Sequence, residues 1–81
     1  MQEPAKIIDE AIGYLMLEMP DEAITALVSL PEDIQNSEQV LILRLQALLN
    51  QKRWIEGAEL ARRCIVRFPN TSDFYLSLIH I

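Results

Sequence analysis

The stretch from Leu43 to Asn70, LRLQALLNQKRWIEGAELARRCIVRFPN, decides the fold of this chain. Its leucines recur at helical spacing as far as a polar turn, NQKR (50–53), and a second apolar stripe then runs from Trp54 to Ile65. Pro69 ends the helix that carries this second stripe. Two amphipathic segments separated by so short a turn predict a pair of antiparallel helices.

Prolines divide the first half of the chain in the same way. Pro4 suits the first turn of a helix that runs to Met16, because a proline there sacrifices no hydrogen bond. Pro20 ends this helix and starts a second one, which Pro31 ends about a turn earlier than its counterpart. A polar link, residues 32–35, follows and is expected to be non-helical.

The two remaining helices begin at capping signals. Asn36 followed by Gln39 resembles a capping box, and it opens the helix that leads into the 50–53 turn. Beyond Pro69, Thr71 or Ser72 can cap a fifth helix. Because the chain carries no strand signal of note, the sequence predicts an all-α fold of about five helices with short antiparallel connections.

Composition and charge limit the class of protein. Eighty-one residues, 51% of them hydrophobic and 23% charged, predict one small globular domain, 1–81, with a thin core. A net charge of −5 argues against a nucleic-acid partner. No apolar stretch is long enough to span a membrane, and the N-terminus lacks the pattern of a signal peptide. A single cysteine fits a reducing compartment, so a cytoplasmic location is expected.

The chain repeats itself at an interval of 34 residues. When the sequence is shifted by that interval, apolar or small positions coincide, which predicts two helix–turn–helix units and the start of a third. In the first helices the matched sets are Ile7, Leu41 and Tyr75; Ile8, Ile42 and Leu76; and Ala11, Leu45 and Ile79. In the second helices the matched pairs are Ala23 and Gly57, Leu27 and Ala61, and Leu30 and Cys64.

This pattern resembles the tetratricopeptide repeat (TPR) family, whose repeat length is about 34 residues. Leu43 to Asn70 carries the best match: an apolar first helix, a polar turn, the aromatic Trp54, small residues at Gly57 and Ala61, and the closing Pro69. The first unit departs from the pattern, because a proline stands where the second has its tryptophan. The resemblance implies stacked helical hairpins, an α-solenoid fragment, with repeats at 4–34 and 36–69 and a capping or third-repeat helix at 72–81.

TPR proteins are non-catalytic scaffolds that bind peptides or helices along a concave wall formed by the first helix of each repeat, and the resemblance implies that role here. An apolar wall with a few amides suits an amphipathic helix, whereas TPR domains that grip acidic chaperone tails use basic residues there. Two alternatives stay open: these side chains pack against the fifth helix or a second copy, or the protein is a small chaperone like those of type III secretion. The expected groove residues are Ile8, Ile12, Leu15, Gln39, Ile42, Gln46, Leu49 and Asn50.

The last segment is mostly apolar, which is unusual for a helix that closes a repeat array. Large exposed apolar areas are rare on monomers, so we expect either a homo-oligomer or a segment of a longer chain. The residues expected to associate are Phe74, Tyr75, Leu76, Leu78, Ile79 and Ile81.

The charge is also distributed unevenly. Residues 1–38 carry a net charge of −8, and residues 39–81 carry +3. Two solvated faces of opposite sign explain this division most simply. The alternative is a contact between copies, in which the acidic half of one copy meets Arg62, Arg63 and Arg67 of another.

Few residues are candidates for chemistry, and we predict no enzyme activity, no cofactor and no metal site. Cys64 and His80 are the one pair of nucleophile and base, but Cys64 lies on a buried stripe and His80 lies near the end of the sequence. The adjacent acids at 9–10, 21–22 and 32–33 have no histidine beside them, and solvation or a helix N-terminus explains them.

Trp54 and the arginine cluster have ordinary structural interpretations. The position of Trp54 in the repeat favours core or turn packing over stacking on a ligand. Glu59 and Arg63 are spaced for an i, i+4 ion pair on a solvated helix face, which is favoured over a phosphate or acidic-partner site.

Overall fold

The computed structural model describes Glu3 to His80, the last residue as backbone only, and this part of the chain is helical throughout apart from its turns. It confirms the predicted all-α class. In chain order the helices of this part are α1 (Pro4–Met16), α2 (Pro20–Val28), α3 (Glu32–Gln35), α4 (Glu38–Asn50), α5 (Trp54–Arg67) and α6 (Ser72–His80).

The one-turn helix α3 lies where the sequence predicted a non-helical link. Pro31 precedes it with an extended backbone, and the side-chain Nε2 of Gln35 donates to the carbonyl oxygens of Val28 and Leu30 at 3.0 and 2.6 Å. These bonds satisfy carbonyl groups at the end of α2, and Ile34 packs against the first hairpin. A single turn is too short to produce a periodic pattern, so the sequence could not reveal it.

The predicted capping box at Asn36 and Gln39 is wrong. Helix α4 starts one residue later than that motif requires, with Ser37 at its N-cap and no side-chain cap bond. Asn36 instead ends α3 and donates its amide to the carbonyl oxygen of Glu32 at 3.0 Å, while the Ser37 hydroxyl donates to Ile34 at 2.7 Å. Both side chains are therefore used by the preceding turn of helix.

The helices pack mainly on their neighbours in the chain. Helix α1 packs on α2, α2 on α4, α4 on α5 and α5 on α6, and α1 also contacts α4. The shortest dimension of the molecule, 16 Å between Cα atoms, is that of two helix layers at ordinary packing distance. The molecule thus consists of two hairpins, α1–α2 and α4–α5, with α6 added against α5.

Helix α4 belongs to both apolar cores. Val40 and Leu43 are buried against α1 and α2, whereas Leu41, Leu45 and Leu48 are buried against α5. The buried residues of the first core are Ile7, Ala11, Ala23, Leu27, Leu30, Val40 and Leu43. Those of the second are Leu41, Leu45, Leu48, Leu60, Ala61, Cys64 and Phe74.

Burial follows the 34-residue interval between the two hairpins. Ala23 and Gly57, Leu27 and Ala61, and Leu30 and Cys64 are all buried, so each matched pair occupies the same kind of position. The small members of these pairs allow the two helices of a hairpin to approach each other closely. The hairpins differ in length, because α2 has 9 residues and α5 has 14.

The two hairpin turns have the same backbone conformation. Glu18 and Lys52 lie in the left-handed region, with φ of 57° and 59°, and they are 34 positions apart. The N–H of Met19 donates to Tyr14 at 2.8 Å, and the N–H of Arg53 donates to Leu48 at 3.0 Å. Each turn is therefore a Schellman motif with a non-glycine residue at the left-handed position.

We predict that replacing Lys52 with glycine stabilises the protein. Because a side chain in the left-handed region is strained, Lys52→Gly should raise the free energy of unfolding by about 0.5–1 kcal/mol and the Tm by a few degrees. Thermal unfolding followed by circular dichroism measures the change.

Gln51→Gly is the matched control for that variant. Gln51 has an ordinary right-handed backbone with φ of −78°, and its side chain donates to the Asp21 carboxylate. Glycine there should lower the Tm. If Lys52→Gly lowered the Tm as well, the left-handed turn would be contradicted.

Candidate functional site

Five of the eight expected groove residues line one depression between α1 and α4. Its volume is about 400 Å³, and it is open to solvent. Residues of both α1 and α4 line it, so the first helices of the two hairpins form its walls. The lining residues are Ile12, Leu15, Met16, Leu43, Gln46, Leu49 and Asn50.

A second depression adjoins the first along α4. It has a volume of about 370 Å³ and is lined by Glu38, Gln39, Ile42 and Leu43. Since Leu43 lines both depressions, we treat the ten residues that line one or both of them as a single surface and call it the groove. It holds seven of the eight expected residues.

Ile8 is the expected groove residue that lines neither depression. It is half-buried and packs against the first core. Ile12 and Leu15 also pack against that core, and Ile42 and Leu49 against the second. These four side chains therefore support the fold with one side and line the groove with the other.

The sequence reading missed Met16 as a groove residue. Its side chain is exposed at the last position of α1 and lies four residues after Ile12, on the same helix face. The spacing of four residues between Ile12 and Met16 was visible in the sequence. The residue at which the turn starts was not, and this start leaves Met16 uncovered.

The apolar residues of α6 divide between core and surface. Phe74 is 0% exposed and stacks on Phe68 at a ring-centroid distance of 6.2 Å, so its assignment to an exposed self-association surface is wrong. Leu78 is half-buried against the second core. Tyr75, Leu76 and Ile79 are exposed, at 43%, 50% and 75%. Ile81 lies outside the described residues.

The repeat explains this division within α6. Phe74 corresponds to Val40, which packs on the preceding hairpin, and Phe74 does the same against α5. Tyr75 and Ile79 correspond to Leu41 and Leu45, which are buried by the helix that follows them. In the described part of the chain no such helix covers α6, so this stripe is open.

The structure decides two of the predicted side-chain roles. Of the two places predicted for Trp54, core or turn, it occupies the turn, because it begins α5 with 46% of its surface exposed. Glu59 and Arg63 do not form the expected pair. The ion pair found among the described side chains joins Arg53 and Glu56 at 2.8 Å, at the start of α5.

Cys64 lies inside the second core with 2% of its surface exposed. Burial raises the pKa of its thiol, and the nearby charges of Arg63 and Arg67 only partly oppose this effect. A protonated, buried thiol acts as an apolar filler, because the thiolate is the reactive form. The side chain of His80, its suggested partner, lies outside the described structure.

Among the described residues, no three His, Cys, Asp or Glu side chains are grouped so that they would hold a metal ion. None of the helices there combines the length and the apolar character needed to cross a membrane.

We predict that Cys64 reacts slowly with iodoacetamide while the protein is folded. Its reaction should accelerate by at least about tenfold in denaturing urea, since both burial and the raised pKa are then lost. Mass spectrometry of the alkylated protein measures the rate.

The raised pKa of the Cys64 thiol also determines the direction in which the free energy of unfolding changes with pH. A folded pKa above the unfolded value of 9.0 means that the contribution of Cys64 is complete below pH 9.0 and declines as the pH rises through the folded pKa. In the Cys64→Ala variant, the free energy of unfolding should lack that part of its decline with pH.

In the alkylation experiment, rapid reaction of Cys64 in the absence of urea would contradict its buried placement.

Comparison of the chain with models of protein families, with curated proteins and with solved structures finds no match. Any functional assignment for this chain therefore rests on its own sequence and geometry.

Proposed function

We propose that the protein is a non-catalytic, TPR-like module that binds an amphipathic helix or peptide of a protein partner in the groove. The observation that carries this proposal is the pair of adjoining open depressions on the first helices of both hairpins. The single, unpaired thiol supports a reducing compartment, the cytoplasm.

Three features of the molecule support the TPR-like assignment. The hairpins share buried positions at an interval of 34 residues, they share the conformation of their turns, and α1 lies beside α4. Stacked repeats produce this arrangement, because each hairpin buries one face against the next.

The chemistry of the groove favours an amphipathic helix as the ligand. Its apolar residues can receive one face of a helix, and the amides of Gln39, Gln46 and Asn50 can bond to polar groups at the edge of that face. No lysine or arginine lines it, and Glu38 is its single charged residue. A carboxylate tail would therefore find no cationic partner there.

We predict that Ile42→Glu abolishes partner capture. A carboxylate at this position would lose its hydration when the apolar face of the ligand covers it. Because this desolvation is unfavourable, the variant should bind the partner at least about tenfold more weakly. Affinity purification with the tagged protein, followed by quantitative mass spectrometry, compares the proteins retained by the variant and by the wild type.

Val66→Glu is the matched control, because Val66 is an exposed apolar residue of α5 that lies outside the groove. It should retain the same proteins as the wild type. If Ile42→Glu lost helicity, Gln46→Glu with Asn50→Asp would place charge in the groove at exposed, isosteric positions. Unchanged capture by a folded groove variant would contradict the proposal.

A second candidate function is that of a structural homo-oligomer that associates through α6. The exposed stripe of Tyr75, Leu76 and Ile79 favours it, because in the hairpins the equivalent stripe is covered by a helix. A second copy of α6 would cover it in an isologous contact.

If α6 mediates association, replacing Tyr75, Leu76 and Ile79 together by glutamine should convert an oligomer to a monomer of 9.3 kDa. Glutamine keeps the helix but removes the apolar surface. Light scattering measures the molar mass, with Val66→Gln as the control that should leave it unchanged. A wild type that is monomeric at all salt concentrations would exclude this candidate.

A further inference from the structure

Two depressions outside the groove carry opposite charge. The first lies between α1 and α2, has a volume of about 340 Å³ and contains Glu10, Asp21 and Glu22 with no basic residue. We call it the acidic depression. The second lies between α4 and α5, has a volume of about 290 Å³ and contains Arg44, Arg63 and Arg67 with no acidic residue. We call it the basic depression.

The two depressions occupy equivalent places in the two hairpins. Ile7 and Ala26 line the acidic depression, and Leu41 and Leu60, which are 34 positions later, line the basic one. The same interval relates Glu10 to Arg44 and Ser29 to Arg63. The hairpins have therefore kept their shape at this place while the charge is reversed.

Neither set of charges is neutralised within the described part of the molecule. No carboxylate there lies within 4.0 Å of the guanidinium groups of Arg44, Arg63 or Arg67, and no basic side chain lies that close to the three acids. Arg63 and Arg67 are exposed. Asp21 accepts a hydrogen bond from the neutral amide of Gln51, which leaves its charge in place.

Helix α2 lies between the two depressions. It supplies a wall of the acidic depression through Asp21 and Thr25. Ile24, three residues after Asp21 on the same helix, lines a hollow that also contains Arg44 and Arg63 and so continues into the basic depression. That hollow also holds Glu59 and the ion pair of Arg53 with Glu56. One surface thus carries both charges side by side.

From this arrangement we propose that a second copy of the chain docks on this surface, with the acidic depression of each copy against the basic depression of the other. If a two-fold axis relates the two copies, the contact between an acidic and a basic depression forms twice, and all four depressions of the dimer are paired. A head-to-tail arrangement with a single contact would leave one acidic and one basic depression unpaired. The apolar side chains at the floors, such as Leu60 and Tyr14, pack beneath the ion pairs. This interface lies outside the groove and leaves the groove open.

Charge reversal with complementation tests the proposal. Glu10→Lys with Glu22→Lys makes one variant, and Arg63→Glu with Arg67→Glu makes the other; all four residues are exposed. Each variant alone should be a 9.3 kDa monomer by sedimentation equilibrium, while an equimolar mixture should form a dimer. The wild type should dimerise at about 20 mM NaCl and dissociate at about 0.5 M, with the dissociation constant rising at least about tenfold.

Lys52→Glu with Arg62→Glu is the matched control for net charge. Both residues are exposed and line neither depression, so this variant should dimerise like the wild type at low salt. Should Arg67→Glu reduce helicity, Arg63→Glu alone replaces the double variant. A monomeric mixture, or a wild-type mass that does not change with salt, overturns the proposal. A dimer that resists 0.5 M NaCl and is lost with the α6 stripe overturns it too and assigns association to α6.

Discussion

Helix α4 has to bury two apolar stripes at once, and this requirement organises the rest of the molecule. Val40 and Leu43 pack into the first hairpin while Leu41, Leu45 and Leu48 pack into the second. A helix buried on both sides needs a partner on each, so α2 and α5 flank it in turn. Small residues at Ala23, Gly57 and Ala61 bring those partners close, which a chain of 81 residues needs in order to close a core.

The candidate binding surfaces follow from the same packing. Because α2 and α5 cover α4 from one layer, α1 and α4 are left side by side in the other, and the groove forms between them. Helix α6 packs on α5 as the first helix of a further hairpin would. The described part of the chain contains no helix after it that corresponds to α5, so one apolar stripe of α6 stays exposed. The acidic and the basic depression occupy equivalent places in the two hairpins but carry opposite charges.

Much of the fold was predictable from the sequence, because apolar periodicity and prolines are local signals. The two hairpins, the approximate positions of their turns and the 34-residue interval are all present in the order of residues, although the exact first residue of α4 and the exact start of the first turn are not. Features that depend on tertiary contact were not. Phe74 and Tyr75 are adjacent aromatic residues in an apolar run, and only packing against α5 decides that the first is buried and the second exposed.

The candidate site was predictable to the extent that it follows the 34-residue interval. Residues on the outer side of α1 and α4 could be selected from their spacing, and seven of the eight line the groove. Ile8 could not be excluded in this way, because its burial depends on how the first core closes around it. The capping box failed for a related reason: the one-turn helix α3, which takes up Asn36, produces no pattern of its own.

A solution NMR structure tests whether the chain forms two equivalent hairpins and whether α4, which belongs to the second, also packs into the core of the first. We expect that a shift of 34 residues superposes α1 and α2 on α4 and α5 as far as the end of α2, with positive φ at both Glu18 and Lys52. A structure in which the two hairpins cross at different angles, or in which α4 packs against only one of its neighbours, would contradict it.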